Sequence, residues 1–180
     1  MEQLKNNFDV DIAWRSFELR PAGTPPASPE YRARIEAGRE RFEQLVATHF
    51  GLKIDSGPFG IVTRSALIGA KYAEAQNRGQ EYHRIVQNAY WLEAKDISNL
   101  DILKDLAVQA GLDADGFTAA LNDPDYDLQV EADIQIAWSS GINGVPATVI
   151  AQHYLLSGAQ PYEVLARVIR RVQAEQADQV

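Results

Sequence analysis

The densest group of side chains that could do chemistry is an acidic run, Asp123-Pro-Asp-Tyr-Asp127. Its aspartates alternate as they do at the opening of an EF-hand calcium loop. That loop requires glycine at its sixth position and a bidentate glutamate at its twelfth, where this sequence has Leu128 and Ile134. We therefore predict that the run caps a helix and fills its first turn, where carboxylates favour the helix dipole.

The remaining polar candidates lack partners at useful spacing. His49, His83 and His153 do not have the spacing of metal ligands. They are expected on a helix face, a helix surface and a hairpin turn. Ser139 and Ser140 are adjacent, but no His–Asp arrangement that could activate them is visible. We expect neither a metal nor a cofactor.

The sequence contains no cysteine among its 180 residues. Structural disulfides are therefore excluded from the chain as given. Thiol–disulfide exchange requires a thiolate, so thiol-based redox chemistry is excluded as well.

A Gly-rich turn ending in Gly144-Val145-Pro146 precedes a short apolar run, Ala147–Ile150. Proline cannot donate to a β-ladder and is confined to edges, first positions or bulges. One reading is an ordinary trans proline that enters an edge strand. The other is a cis Val145–Pro146 bond that turns the chain and leaves its backbone open to a ligand.

The elements around this turn are predicted from periodicity. Ala147–Ile150 and Tyr154–Leu156 form a hairpin, and Pro161 begins a last amphipathic helix. Residues 8–19 form a first strand in which apolar and polar side chains alternate. Several helices lie between the first strand and the hairpin.

The longest of these helices begins at Ser28 and Pro29, a capping residue and a favoured first position. Its apolar side chains share one face, which we expect to point inward: Tyr31, Ile35, Phe42, Leu45, Val46 and His49. Gly38 interrupts the helix and is expected to mark a bend.

Composition is that of a globular domain, with a net charge of −8 and a pI near 4.9. This charge argues against a nucleic-acid partner, which requires a basic surface. No run of apolar residues is long enough to span a membrane. The polar start, residues 1–7, lacks the apolar core of a signal peptide, so a cytoplasmic location is expected.

Several motifs together resemble the DsbA family of thioredoxin-fold proteins, most closely its FrnE-like subgroup of predicted dithiol-disulfide isomerases. They are Trp14-Arg-Ser-Phe-Glu-Leu-Arg-Pro21, Gly144-Val-Pro146, and Ser157-Gly-Ala-Gln-Pro161 before the last helix. The resemblance implies an α/β, thioredoxin-like fold and a single domain, residues 1–180. It places a helical insertion at about 28–141, between the strand 8–19 and the C-terminal hairpin and helix, 146–175. It also implies that Gly144, Val145 and Pro146 form a cis-proline loop that binds substrate.

One departure from the family is large. Family members begin with a central strand and a Cys-x-x-Cys at the start of the first helix, and this chain has neither. The absent strand would lie between residues 8–19 and Ala147–Ile150, so both neighbours would lose backbone partners. We expect a truncated start, a different strand pairing, or a second subunit that fills the gap.

Three functions follow from these observations. The first is membership of the disulfide oxidoreductase/isomerase family without redox competence of its own. The second is a redox-inactive module that binds a peptide or small molecule between Pro146 and the helical insertion, as a homodimer. The third is kinship with glutathione-dependent 2-hydroxychromene-2-carboxylate isomerases and kappa-class glutathione transferases.

Overall fold

The computed structural model describes residues 1–177; the last three residues of the predicted domain 1–180 lie outside that range. Its helices and strands follow in chain order: α1 (Glu2–Asn7), α2 (Pro29–Phe50), α3 (Arg64–Ala75), α4 (Gly79–Leu92), α5 (Leu100–Gln109), α6 (Ala114–Ala120), α7 (Pro124–Ser139), β1 (Ala147–Ile150), β2 (Tyr154–Ser157) and α8 (Tyr162–Ala177). The chain forms two compact units. Residues 1–19 together with those from Asp133 onward form unit 1, and Arg20–Ala132 form unit 2.

Unit 2 is helical and contains the larger core. Helices α3 to α6 bury a continuous apolar cluster that includes Tyr82, Leu103, Leu106 and Phe117. Gly69 lets α3 approach this cluster closely, because a Cβ there would come within 2.5 Å of the Tyr82 hydroxyl and 2.6 Å of the Phe117 ring. The helical block predicted from sequence is therefore present and well packed.

The long helix α2 has the predicted ends. The Ser28 side chain accepts a hydrogen bond from the Tyr31 N–H, Pro29 occupies the first helical position, and Gly51 ends the helix in a left-handed conformation. The predicted inward face is wrong. Of its six residues only Val46 is buried, because no described residue of α2 belongs to the core that α3 to α6 form.

Unit 1 has a small hairpin and a small core. Strands β1 and β2 pair antiparallel, with Val149 opposite Leu155 and Ile150 opposite Tyr154. Leu4, Leu165 and Ile169 are buried together, and the half-buried Phe8, Val10, Ile150, Leu156 and Tyr162 pack against them. Helix α8 and the N-terminal residues thus cover one face of the hairpin.

The predicted first strand, residues 8–19, is wrong. Within residues 1–177 the sheet consists of β1 and β2, and the segment pairs with neither. Its alternation is real, since Phe8, Val10 and Ile12 are half-buried while Asp9 and Asp11 are exposed. However, an extended segment becomes a strand only beside a neighbour that pairs its backbone groups. The expectation that residues 8–19 and the hairpin strands pair in a different arrangement is therefore also wrong within the described chain.

Candidate functional site

The loop before β1 begins where α7 ends. Gly141 has a φ of 74°, a left-handed conformation that glycine adopts without strain. The next N–H, that of Ile142, donates to the Ala137 carbonyl at 2.8 Å, which closes the last turn of the helix. The chain is thereby turned out of α7 toward Gly144, Val145 and Pro146.

Gly144, Val145 and Pro146 lie exposed at the surface of unit 1. The Val145–Pro146 peptide bond is cis. The Val145 side chain is 46% exposed, and a Cβ added to Gly144 would have no neighbour within 4 Å. Among the described residues, no group hydrogen-bonds the N–H or the carbonyl of Val145. The loop therefore presents main-chain groups as well as an apolar side chain.

The hairpin ladder determines which way the β1 backbone points. The Gly158 N–H donates to the Pro146 carbonyl at 2.8 Å, which makes these two residues a hydrogen-bonded pair. Such pairs alternate with pairs whose N–H and C=O groups point away from the partner strand. The register places Ala147 and Val149 in that second class. Within the part of the chain that is described, their backbone groups line the unpaired outer edge of β1.

One face of the hairpin beside this edge is apolar and open. Val149 and its cross-strand neighbour Leu155 are 46% and 41% exposed. Ile150 and Leu156 point to the other face, where they contact the core of unit 1. We name the outer edge of β1 together with Val145, Val149 and Leu155 the β1 edge site.

A polar cluster connects β2 to α8 behind this site. The Tyr154 hydroxyl donates to both Glu175 oxygens at 2.8 and 2.9 Å, and Arg171 Nε donates to Glu175 Oε1 at 2.8 Å. The bond from Arg171, followed by that from Tyr154, lowers the pKa of Glu175. Accepting from Tyr154, the same carboxylate raises the pKa of the phenol. This cluster positions the hairpin on α8.

A second polar contact connects the N-terminal segment to α7. Asp133 is buried, 4% exposed, and accepts from the Ser16 N–H at 2.9 Å and from Arg15 Nη1 at 3.1 Å. Sequence reasoning missed both this contact and the Tyr154 cluster. The four-residue spacing of Arg171 and Glu175 signalled part of the latter, whereas Asp133 and Ser16 are too far apart in sequence to be paired by inspection.

The acidic run forms the predicted helix start. Asp123 Oδ1 accepts from the Asp125 N–H at 2.9 Å as α7 begins. Asp127 is bound by Arg64, with its Oδ1 2.6 Å from Arg64 Nε. Glu131 lies 3.5 Å from the same guanidinium. Arg64 lowers the pKa of Asp127 through this hydrogen bond, so a side chain from α3 supplies the positive charge here.

The other candidates are not brought together. His49 and His153 contact the nearby carbonyls of Leu45 and Ala151, and burial lowers the pKa of His83. Ser139 Oγ donates to the Ile136 carbonyl. Among residues 1–177, no three His, Asp or Glu side chains are grouped to hold a metal ion. Each described helix is too short or too polar to cross a membrane.

Comparisons with known proteins match one family model and several relatives. A family model described as the DSBA-like thioredoxin domain matches residues 1–170. The uncharacterized protein YwbO of Bacillus subtilis strain 168 is 29% identical over 174 residues, which cover 93% of this chain and 85% of YwbO.

Two solved structures share the architecture. A probable DsbA oxidoreductase, SCO1869 of Streptomyces coelicolor, is 27% identical with a TM-score of 0.76, and the match covers 89% of this chain and 74% of that one. A 2-hydroxychromene-2-carboxylate isomerase has a TM-score of 0.79 at 19% identity, with 99% and 89% of the two chains covered. The second of these likenesses shows the fold alone.

Proposed function

The chain belongs to the DSBA-like thioredoxin domain family, and we propose that it binds an extended polypeptide segment along the β1 edge site without contributing a thiol. The 180 residues contain no cysteine, so this chain is not redox-competent by itself. Binding is the part of a thiol–disulfide exchange reaction that these residues can perform. The unpaired outer edge of β1 is the observation that carries the proposal.

The backbone supports this mode of binding. An incoming strand pairs with alternate residues, which lie about 6.6–6.8 Å apart along a strand. Ala147 and Val149 have this spacing and direct their N–H and C=O groups to the same side. Val145, just before them, adds main-chain groups that no described residue binds. Main-chain pairing of this kind gives affinity with little dependence on sequence.

The side chains favour an apolar segment. Val145, Val149 and Leu155 are each more than two-fifths exposed. An added strand would place alternate side chains against the Val149–Leu155 face, where apolar groups would bury surface. We therefore infer that the bound segment alternates apolar and polar residues, as an unfolded strand of a client protein does.

Two features of the relatives set the limits of the proposal. The Streptomyces protein is described as a probable DsbA oxidoreductase, so a client that undergoes disulfide exchange is the natural substrate class. A cysteine pair for that reaction has to come from outside these 180 residues. The glutathione-dependent alternative has weaker support, because the isomerase match at 19% identity carries only the fold.

Three finer predictions accompany this proposal. Placement in the FrnE-like subgroup is supported by Ser157-Gly-Ala-Gln-Pro161 after Gly144-Val-Pro146. A cytoplasmic location is tested by fractionation of the native cells. A homodimer is tested by sedimentation of the purified chain.

The deciding experiment removes one N–H from the edge. Val149→Pro eliminates an N–H that points away from β2, so the hairpin keeps its ladder. Val149→Ala is the matched control, because it shortens the same side chain and retains the N–H. The probe is a fluorescein-labelled peptide of alternating valine and threonine with lysine at each end, and anisotropy reports its binding.

We expect Val149→Pro to weaken binding by about tenfold or more, which corresponds to loss of a hydrogen bond worth about 1.4 kcal/mol. Val149→Ala should weaken it less. A version of the peptide with proline at every third position should not bind. Equal affinity of both variants for the valine–threonine peptide would contradict pairing at this edge.

A further inference from the structure

Helix α2 carries an apolar stripe that the fold leaves open. Tyr31, Ile35, Phe42 and Leu45 are 39%, 39%, 46% and 49% exposed. With Gly38 they recur at alternating intervals of four and three residues, the spacing that aligns side chains along a helix for contact with a second helix. A stripe of this length on a described helix of 22 residues is more than scattered exposure.

Aromatic neighbours widen the stripe on one side. The Tyr31 ring lies 6.2 Å from the Phe59 ring, and the Phe42 ring lies 6.0 Å from that of Trp91. Phe59 and Trp91 are themselves 44% and 39% exposed. Exposed aromatic side chains in clusters are typical of interfaces between proteins.

Gly38 creates a gap in the middle of the stripe. A Cβ added there would have no neighbour within 4 Å. Between Ile35 and Phe42, the stripe therefore has one position without a side chain. A large apolar side chain of a partner could enter this gap as a knob enters a hole.

Arginines border the stripe on both sides. At about 100° per residue, Arg32 and Arg39 fall on one flank of it, and Arg34 and Arg41 fall on the other. Glu40 falls on the opposite side of the helix, whereas Glu36 Oε2 lies 3.4 Å from Arg39 Nε and partly neutralises that flank. The stripe thus has a basic border in a chain whose net charge is −8.

We propose that α2 is the docking site for an amphipathic helix of another protein that carries acidic residues on both sides of its own apolar stripe. The partner's apolar side chains would pack on Tyr31, Ile35, Phe42 and Leu45, with one in the gap at Gly38. Its carboxylates would meet the bordering arginines. This site lies in unit 2 and is independent of the β1 edge site.

The same charges disfavour a second copy of this chain. In a parallel pair of α2 helices, Arg34 of one would face Arg39 of the other. In an antiparallel pair centred between Ile35 and Gly38, Arg32 would face Arg39, and Arg34 would face Arg41. Like charges at these positions repel. An anionic membrane is disfavoured by the net charge of −8, which repels such a surface.

The test uses two synthetic helices of 21 residues that share leucine at the apolar positions. One has glutamate at the flanking positions, and the other has lysine there. Each is labelled and titrated with the full chain, at concentrations where the probe is monomeric. Because several charge pairs act together, we expect the glutamate helix to bind about tenfold more tightly than the lysine helix, with the difference shrinking in high salt.

Variants locate the site. Phe42→Glu should abolish binding, and Arg34→Glu combined with Arg41→Glu should transfer the preference to the lysine helix. Glu40→Lys, on the far side of α2, is the matched control and should leave binding unchanged. A misfolded variant would lose binding to both helices, so tighter binding of the lysine helix cannot result from misfolding.

Three results would overturn the proposal. One is equal affinity for the two helices, or none for either. Another is a dimer in sedimentation that Phe42→Glu dissociates, which would identify a second copy as the occupant. The last is binding to phosphatidylglycerol vesicles that Phe42→Glu removes, which would identify a membrane.

Discussion

Replacing Asp133 with alanine should cost more stability than replacing Arg15, whose side chain it contacts. Asp133 is 4% exposed and accepts the Ser16 N–H at 2.9 Å. Ser16 is itself only 5% exposed. Without the carboxylate, this buried N–H would lose the acceptor that it has in the structure.

The magnitude is worked from the bonds to Ser16 and Arg15. A hydrogen bond to a charged acceptor is worth about 1.5–3 kcal/mol, and a buried donor left unpaired costs a similar amount. The Arg15 side chain is 67% exposed, so it returns to water and its ion pair adds only about 0.2–1 kcal/mol. We therefore expect Asp133→Ala to lower the free energy of unfolding by about 2–4 kcal/mol. The Tm should fall by roughly 5–15 °C in a domain of this size.

The assay is urea unfolding with three variants. Arg15→Ala should cost less than about 1 kcal/mol. Asp133→Asn keeps an oxygen to accept the Ser16 N–H and should fall between the other two. If Asp133→Ala were no more destabilising than Arg15→Ala, the buried Ser16–Asp133 bond would not be what holds the N-terminal segment to α7.

Two further predictions concern unit 2. Gly69→Ala should destabilise the fold by about 1–3 kcal/mol because its methyl group would overlap Tyr82 and Phe117. Gly38→Ala has open space around it and should stabilise the fold by about 0.5–1 kcal/mol. Thermal melts that rank the two variants the other way would contradict the packing. Arg64 lowers the pKa of Asp127 from its ordinary 3.8, so the paired carboxylate stabilises the fold above pH 3.8 and this contribution is lost as the pH falls through the lower folded-state pKa. Urea midpoints of the wild type and Arg64→Ala should therefore differ most near pH 5 and converge in acid, and a difference that does not change with pH would count against the ion pair.

The local elements of this fold could be predicted from the sequence because short-range signals determine them. Ser28, Pro29 and Gly51 fix the ends of α2 through capping and backbone geometry. Pro146 and Gly158 bracket the hairpin, whose two short, mostly apolar strands are visible in the sequence. The family motifs lie in these same segments, and the family match confirms the thioredoxin-like fold.

The predictions for residues 8–19 and for the inward face of α2 were wrong because both depended on packing partners that a single sequence does not identify. Residues 8–19 have the alternation of a strand but no neighbour to pair with within the described chain. Periodicity identifies the apolar face of helix α2, but it does not show whether residues of the same chain bury that face. The Arg64–Asp127 pair joins residues 63 positions apart, which a single sequence cannot reveal.

Amide hydrogen exchange at β1, read by NMR with and without the valine–threonine peptide, is the most direct test of strand pairing at the β1 edge site. In the free chain, the Thr148 amide should be protected by its partner Leu156, while the Val149 amide should exchange rapidly because it points to the open edge. If the peptide pairs with β1, it should slow exchange at Val149 and leave Thr148 nearly unchanged. A peptide that binds without slowing Val149 would contradict the proposal that the β1 edge site pairs with an extended polypeptide.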